Sequence, residues 1–302
     1  MRYRTLGSTG LKVSEIGLGC ASWWGRAEFS ETEALALVHA AIEGGVTFFD
    51  TGASYSKGQA EQRLGRALAG RATDKLVIGT KAGTYFDGRR VARDMSPTGV
   101  TRSVEASLRN LGLDALPLLQ LHGPSLTELT DDLMACLVDL KARGLVRALG
   151  ANSFDEAVLE RAATLADIEV VMLDYNVLRP RRGALIARLA ASGKGALAGM
   201  AMAMGHADRQ VLKLRQPRDI WYGLRALRHH RGDVARGLKL SFLGQVPGMS
   251  GPQAALAYVL ANSGVSCAVI GTTRMAHLQE NLAASGLSLP AEVVARIETM
   301  VT

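Results

Sequence analysis

Several features that would mark a specialised class are scarce or missing in this 302-residue chain. Aromatic residues make up only 5% of it, and its basic residues are spread along its length, which argues against a nucleic-acid partner. The three cysteines, Cys20, Cys136 and Cys267, lie far apart and form no CxxC pair. They read as buried reduced thiols of a cytoplasmic protein, not as a disulfide framework. Histidine and cysteine never reach ligand spacing, so no metal is expected. No run of about 18 apolar residues is present, which excludes a membrane-spanning helix. Met1-Arg2-Tyr3-Arg4 leads into no apolar core, so the N-terminus does not read as a secretory signal. Low-complexity segments, Pro/Ser-rich linkers and breaks in composition are also missing, and residues 1–302 are expected to form one domain.

What the chain does have is a 48% hydrophobic content and a formal net charge of +7. That surplus can steer the protein toward an anion, and a phosphate-rich small molecule is the simplest such partner; a solvated basic surface would also account for it. A short apolar run, a turn and an amphipathic helix recur along the chain. Strand-like runs fall at 15–19, 46–49, 76–80, 116–121, 146–150, 170–173, 196–201 and 267–270. Helical spacing covers 31–43 (with Ser30 as N-cap), 59–69, 99–111, 126–143, 154–166, 182–191, 252–261 and, as the last long helix, 275–284. Apolar strands alternating with helices imply a parallel sheet covered by helices. About eight such units is the number that closes into a (β/α)8 TIM barrel, an open doubly wound sheet being the alternative. Two stretches stand outside the repeat: a β-hairpin over 2–13, turning at Ser8-Thr9-Gly10, and a long basic insertion at 203–251 before the last unit.

Working residues of such a barrel sit at the C-terminal ends of its strands. Asp50 ends the second strand, Lys81 the third and His122 the fourth, and Tyr55 follows Asp50 in the loop. A free tyrosine, with a pKa of about 10, exchanges protons poorly at neutral pH. A lysine ammonium nearby favours the phenolate and would lower that value, and a carboxylate beside the lysine would keep it charged. A histidine beside the phenol can hydrogen-bond and orient a substrate oxygen. Together they make a general acid aimed at a carbonyl oxygen, which needs a cofactor to supply hydride.

These residues lie in segments that resemble the aldo-keto reductase family. Phe49-Asp50-Thr51-Gly52-Ala53-Ser54-Tyr55 followed by Gly58, Glu61, Leu64 and Gly65, then Thr80-Lys81, then Leu119-Gln120-Leu121-His122-Gly123-Pro124 match its motifs in order. Gly271-Thr272-Thr273-Arg274 with His277-Leu278-Gln279-Glu280-Asn281-Leu282 resembles its cofactor-phosphate and adenine segment; the opening hairpin and Gly17-Leu18-Gly19 also fit. The resemblance runs from residue 1 to about 285 and implies a barrel plugged by the hairpin. It further implies an NADPH-dependent reduction of aldehydes or ketones, with Tyr55 as proton donor in a tetrad with Asp50, Lys81 and His122. For NADPH it implies Gly271, Thr272, Thr273, Arg274 and His277 around the phosphate, at a helix N-terminus whose free N–H groups favour an anion, and Glu280 and Asn281 at the adenine. Gly19, Cys20 and Ala21, with Asp50, Asn152 and Ser153, would contact the nicotinamide end.

The sequence departs from the family pattern in four places. The carboxamide pair reads Asn152-Ser153 where Ser-Asn is usual, and Met172 stands where a glutamine is common. Pro117 replaces an aspartate, and the stacking aromatic expected near 199–202 is missing. These leave the tetrad untouched and put the details of nicotinamide binding in doubt. For the substrate, the insertion offers Trp221 and Tyr222 beside Arg218, Arg225, Arg228 and Arg231, and the first loop offers Trp23 and Trp24. Those aromatics would wall an apolar pocket for a small carbonyl compound, the arginines favouring an acidic one, and Met200, Met202 and Met204, alternating at strand spacing, could line it.

Rival readings fit less well. A Rossmann dehydrogenase would need a third glycine at Ser22 and a helix directly after it, and a Schiff-base enzyme would want Lys81 without a partner such as Asp50. An NADPH-binding redox sensor of the same fold would be expected to carry an N-terminal arm toward a partner, and here the chain opens on the hairpin.

Overall fold

The computed structural model describes residues 1–21, 24, 29–203, 236–237 and 239–301. Tyr3–Thr5 (β1) and Lys12–Ser14 (β2) pair antiparallel as the expected hairpin. Then come Ile16–Gly19 (β3), Glu31–Glu43 (α1), Phe48–Asp50 (β4), Gln59–Leu68 (α2) and Val77–Ala82 (β5). Thr84–Phe86 (β6) and Val91–Arg93 (β7) form a second hairpin, which the apolar pattern does not foretell. Pro97–Leu111 (α3), Leu116–His122 (β8), Asp131–Ala142 (α4), Val146–Asn152 (β9), Glu156–Thr164 (α5), Val170–Asp174 (β10), Arg182–Ala191 (α6) and Gly195–Gly199 (β11) complete the middle of the chain. Gly251–Ala261 (α7), Val265–Ile270 (β12), Met275–Leu282 (α8) and Ala291–Val301 (α9) end it.

The strands close in the order β3-β4-β5-β8-β9-β10-β11-β12, all parallel, with β12 returning to β3 through Ala268 opposite Ile16. This is the (β/α)8 barrel expected. Local chemistry sets the helix starts. Ser30 accepts the Glu33 N–H at 3.3 Å while the Glu33 carboxylate accepts the Ser30 N–H at 3.1 Å, a reciprocal capping box. Ser96, Thr130 and Asp155 cap α3, α4 and α5 in the same way from one side.

The strand period of two divides the core. Phe48, Val77, Leu118, Val170, Leu197 and Cys267 point into the barrel, where Leu6 and Val13 of the first hairpin join them as a plug. The alternate positions pack outward on the helices. The interior is tight: a Cβ on Gly17 would come within 2.7 Å of the Phe48 ring and 2.9 Å of the Cys267 sulfur. Cys20 and Cys267 are buried thiols as expected, but Cys136 is partly exposed, beside the Pro97 carbonyl.

Two further corrections concern the C-terminal half. Helix α9 follows the helix read as the last long one; over its three turns only Ile297 is fully buried, which made a weak signal. The methionine alternation is no strand. β11 ends at Gly199, and Met200 turns the chain with φ +52°, its carbonyl held by the Asn176 amide at 3.1 Å. Met204, Trp23, Trp221, Tyr222 and the four arginines of the insertion lie outside the described residues. Of the insertion's described end, Leu240 and Leu243 are buried in a short 3₁₀ segment before α7. No described helix is long and apolar enough to cross a membrane.

Candidate active site

The barrel brings the ends of β4, β5 and β8 side by side. Asp50 lies opposite Gly79, Lys81 opposite Gln120, and His122 opposite Asn152. The Lys81 ammonium donates to both Asp50 carboxylate oxygens, at 2.7 and 2.6 Å, and to the Thr51 carbonyl at 2.8 Å. It also hydrogen-bonds the Tyr55 phenol. The pair is 1% and 3% exposed, so each charge is compensated where water does not reach. Gln120 adds an amide donor to Asp50 at 3.1 Å. It is a polar residue on the same strand face as His122, two positions earlier, and that spacing is the signal that could have singled it out.

Tyr55 stands over this pair. Its backbone N–H reaches the Gly52 carbonyl at 3.0 Å, and the following Ser56 and Lys57 take left-handed conformations, with φ of 52° and 58°. The turn folds the half-buried phenol ring back over the mouth, 4.8 Å from the Lys81 nitrogen, and His122 meets it edge-on at 5.3 Å between centroids. Thus the three strand-end residues and Tyr55 of the loop meet in one place.

The electrostatics differ in one respect from the sequence argument. Burial pushes the Tyr55 phenol up, and this outweighs the lowering by Lys81. The phenol is therefore protonated at neutral pH. Burial also works against the Lys81 ammonium, but the Asp50 carboxylate and the phenol reverse that and hold it above the usual range. For His122, burial and then the positive charges of Lys81 and Arg93 lower the imidazole to about 4. It is neutral across the physiological range.

Around the four residues runs a supporting shell. Buried Glu61 on α2 accepts from Thr80 at 2.5 Å, Ser107 at 2.7 Å and Asn110 at 3.0 Å, locking α2 to β5 and α3. A Cβ on the nearby Gly65 would lie 2.2 Å from the Asn110 carbonyl, so only glycine permits this approach. Arg63 holds the loop after β3 through the Trp24 and Phe29 carbonyls, at 2.5 and 2.7 Å. Trp24 itself is 1% exposed and stacked edge-on against Phe29. Its ring is part of the core here, so the wall it was expected to lend a substrate pocket is not presented. The missed second hairpin matters more: Thr84 on β6 contacts His122 Nδ1 at 2.5 Å, and Arg93 on β7 pairs with Glu128 and donates to the Gly123 carbonyl at 2.8 Å, stapling the hairpin over the turn after His122.

The segment read as a phosphate site leaves the barrel after β12. Thr272 Oγ1 accepts the Arg274 N–H at 3.0 Å, and α8 then starts with no side-chain cap. Gly271, Thr273, Arg274 and His277 are exposed, and Arg274 makes no ion pair with a described residue. Glu280 accepts from Ser250 Oγ at 2.6 Å, and the Gln253 amide donates to the Glu280 carbonyl at 3.0 Å, which ties α8 to the start of α7. Asn281 is buried. These uncapped donors and the free cation suit an anion. At the other end, Gly19, Cys20 and Ala21 leave β3 beside Asp50, whose carbonyl accepts the Cys20 N–H at 2.7 Å. Asn152 is 7% exposed and its carboxamide bonds no described residue, while Ser153 Oγ is used by the Asp155 N–H at 3.1 Å. Met172 is turned into the barrel core, so Asn152 is the amide left open there.

The aldo/keto reductase family model matches residues 15–302. An uncharacterized oxidoreductase of Bacillus subtilis is 26% identical over 94% of this chain and 91% of its own length. A D-threo-aldose 1-dehydrogenase of a Pseudomonas species is 28% identical over 96% of this chain and 94% of its own. Among solved structures, an aldo-keto reductase of Bacillus halodurans in its holo form superposes with a TM-score of 0.84 at 26% identity, covering 100% of this chain and 97% of that one. The chain belongs to the aldo/keto reductase family, whose members are oxidoreductases that work with a nicotinamide cofactor.

Proposed function

We propose that this protein reduces an aldehyde or ketone to an alcohol with NADPH, Tyr55 giving the proton. The observation that carries the reading is the closed Asp50–Lys81 pair under a protonated Tyr55, with neutral His122 edge-on beside it. A carbonyl oxygen held between Tyr55 and His122 would receive a hydrogen bond from each. As negative charge develops on that oxygen, the phenol hydrogen moves to it, and the phenolate that forms faces the Lys81 ammonium. Asp50 and the Thr51 carbonyl hold the ammonium in place, so its field needs no reorganisation during the step. The hydride would come from a nicotinamide when one is bound. Asn152 offers the open carboxamide for it, and Arg274, Thr273 and His277 offer the cation and donors that suit a 2′-phosphate.

The test is a panel of small and bulky aldehydes, ketones and aldoses, with NADPH consumption followed in one direction and NADP+ reduction in the other. The reading expects turnover with NADPH well above that with NADH. Equal affinity for the two cofactors by fluorescence titration would remove the assignment of Arg274, and no turnover with any carbonyl or alcohol would remove the reaction itself.

A further inference from the structure

Beyond the four residues at the mouth, a short chain of hydroxyls ends on His122. Ser54 Oγ lies 3.1 Å from Thr84 Oγ1, and Thr84 Oγ1 lies 2.5 Å from His122 Nδ1. Ser54 comes from the loop that carries Tyr55, Thr84 from the hairpin that Arg93 staples down, and His122 from the end of β8. Three separate elements thus converge on one ring nitrogen. The other, Nε2, bonds no described residue.

Each hydroxyl owns a single hydrogen and two lone pairs, so Nδ1 has two possible roles. Either Ser54 donates to Thr84 and Thr84 to a bare Nδ1, or Nδ1–H donates to Thr84, which then donates to Ser54 or accepts from it as well. The role decides what Nε2 offers. In the first case it carries a hydrogen; in the second it presents a lone pair. The imidazole carries only one hydrogen, because burial and the charges of Lys81 and Arg93 keep it neutral. A carbonyl oxygen is an acceptor and cannot be held by a second acceptor.

We propose that Thr84 is a positioning residue that fixes His122 in its Nε2–H form: Ser54 donates to Thr84, Thr84 donates to Nδ1, and Nε2–H is left to hold the substrate oxygen. This rests on the reading of His122 as the group that orients the carbonyl. The hydroxyl contact also restrains the ring, since Nδ1 is held by Thr84 while the ring meets Tyr55 edge-on. In a neutral histidine the partner of one ring nitrogen selects the state of the other.

The experiment uses the full-length protein labelled with ¹⁵N, whose long-range proton–nitrogen spectra identify the tautomer of each histidine; His122 is assigned by its loss in His122→Gln. The wild type is expected to show Nε2–H at His122. Thr84→Val removes the donor at nearly constant shape, and should move the ring toward Nδ1–H. Its kcat should fall about tenfold, the worth of one net hydrogen bond, with NADPH affinity unchanged. Thr84→Ser should restore both tautomer and kcat, which a merely structural role for the methyl group would not produce. Should Thr84→Val not fold, Thr84→Ala removes the same donor to Nδ1 and is read the same way. A wild-type Nδ1–H tautomer overturns the proposal, as does a Thr84→Val protein that keeps Nε2–H or its full kcat. A protein that shows Nε2–H yet turns over no carbonyl would instead overturn the reaction assigned above, so the two failures are distinguishable.

Discussion

The mouth formed by β4, β5 and β8 and the segment after β12 are both polar sites at strand ends, yet they are built in opposite ways. At the mouth the charges are buried and satisfied by each other: Lys81 donates to Asp50 and Thr51, and Gln120 braces the carboxylate. After β12 the cation Arg274 is exposed and unpaired among the described residues, and α8 begins uncapped. The first arrangement is one whose field must already be in place when a proton moves. The second leaves its donors open for an anion that arrives and departs. Disturbing the first should therefore affect both folding and chemistry, whereas disturbing the second should be felt only by the cofactor.

The largest effect is expected from Lys81→Met. It strips Asp50 of its cation in a site that water does not reach, which costs about 3–5 kcal/mol for a broken buried pair. It also removes the charge that receives the phenolate, and kcat should fall by about 10²–10⁴-fold. Denaturant unfolding and steady-state kinetics on the same preparation check both. A variant with full stability but no activity would mean that the pair is not the structural element described here.

Next in size is the acid sensitivity of the mouth. The folded protein holds the His122 imidazole at about 4, below its ordinary 6.5. The unfolded chain therefore takes up this proton first as pH falls. The stabilising contribution is complete above about 6.5 and is lost on the way down to about 4, by up to about 3 kcal/mol. His122→Gln should flatten the unfolding free energy over that window. An unchanged slope would show that the ring titrates normally.

Arg274→Ala should be milder and confined to the cofactor. Losing one charged hydrogen bond, about 1.5–3 kcal/mol, weakens NADPH by roughly 10- to 150-fold. NADH affinity and thermal stability should stay close to wild type. Equal weakening of both cofactors would place Arg274 away from the 2′-phosphate.

How much of this could be read from the sequence follows from which signals are local. The barrel strands are continuous apolar runs at regular intervals, and the eight expected runs coincide with the eight barrel strands to within a few residues. Asp50, Lys81 and His122 were legible because a barrel places charged residues that close successive strands next to one another. Thr84 was not, because β6 and β7 are three residues each and partly exposed, with no apolar period to reveal the hairpin. Net electrostatics were also out of reach. The pull of Lys81 on Tyr55 could be argued from proximity, but the opposing push of burial depends on how the turn through Ser56 and Lys57 folds the ring down. The burial of Trp24 was hidden for the same reason: it depends on Arg63, a residue 39 positions away, gripping its carbonyl.

The measurement that bears most directly on the account is Tyr55→Phe, with NADPH binding and turnover determined side by side. The ring and its contacts with Lys81 and His122 are kept, and only the phenolic hydrogen is lost. NADPH affinity should stay within about twofold of wild type, far less than one lost charged hydrogen bond would cost, while kcat for every carbonyl substrate falls by about 10²–10⁴-fold. A Tyr55→Phe protein that keeps most of its kcat would contradict the account, because the proton would then come from somewhere other than the residue around which this site is arranged.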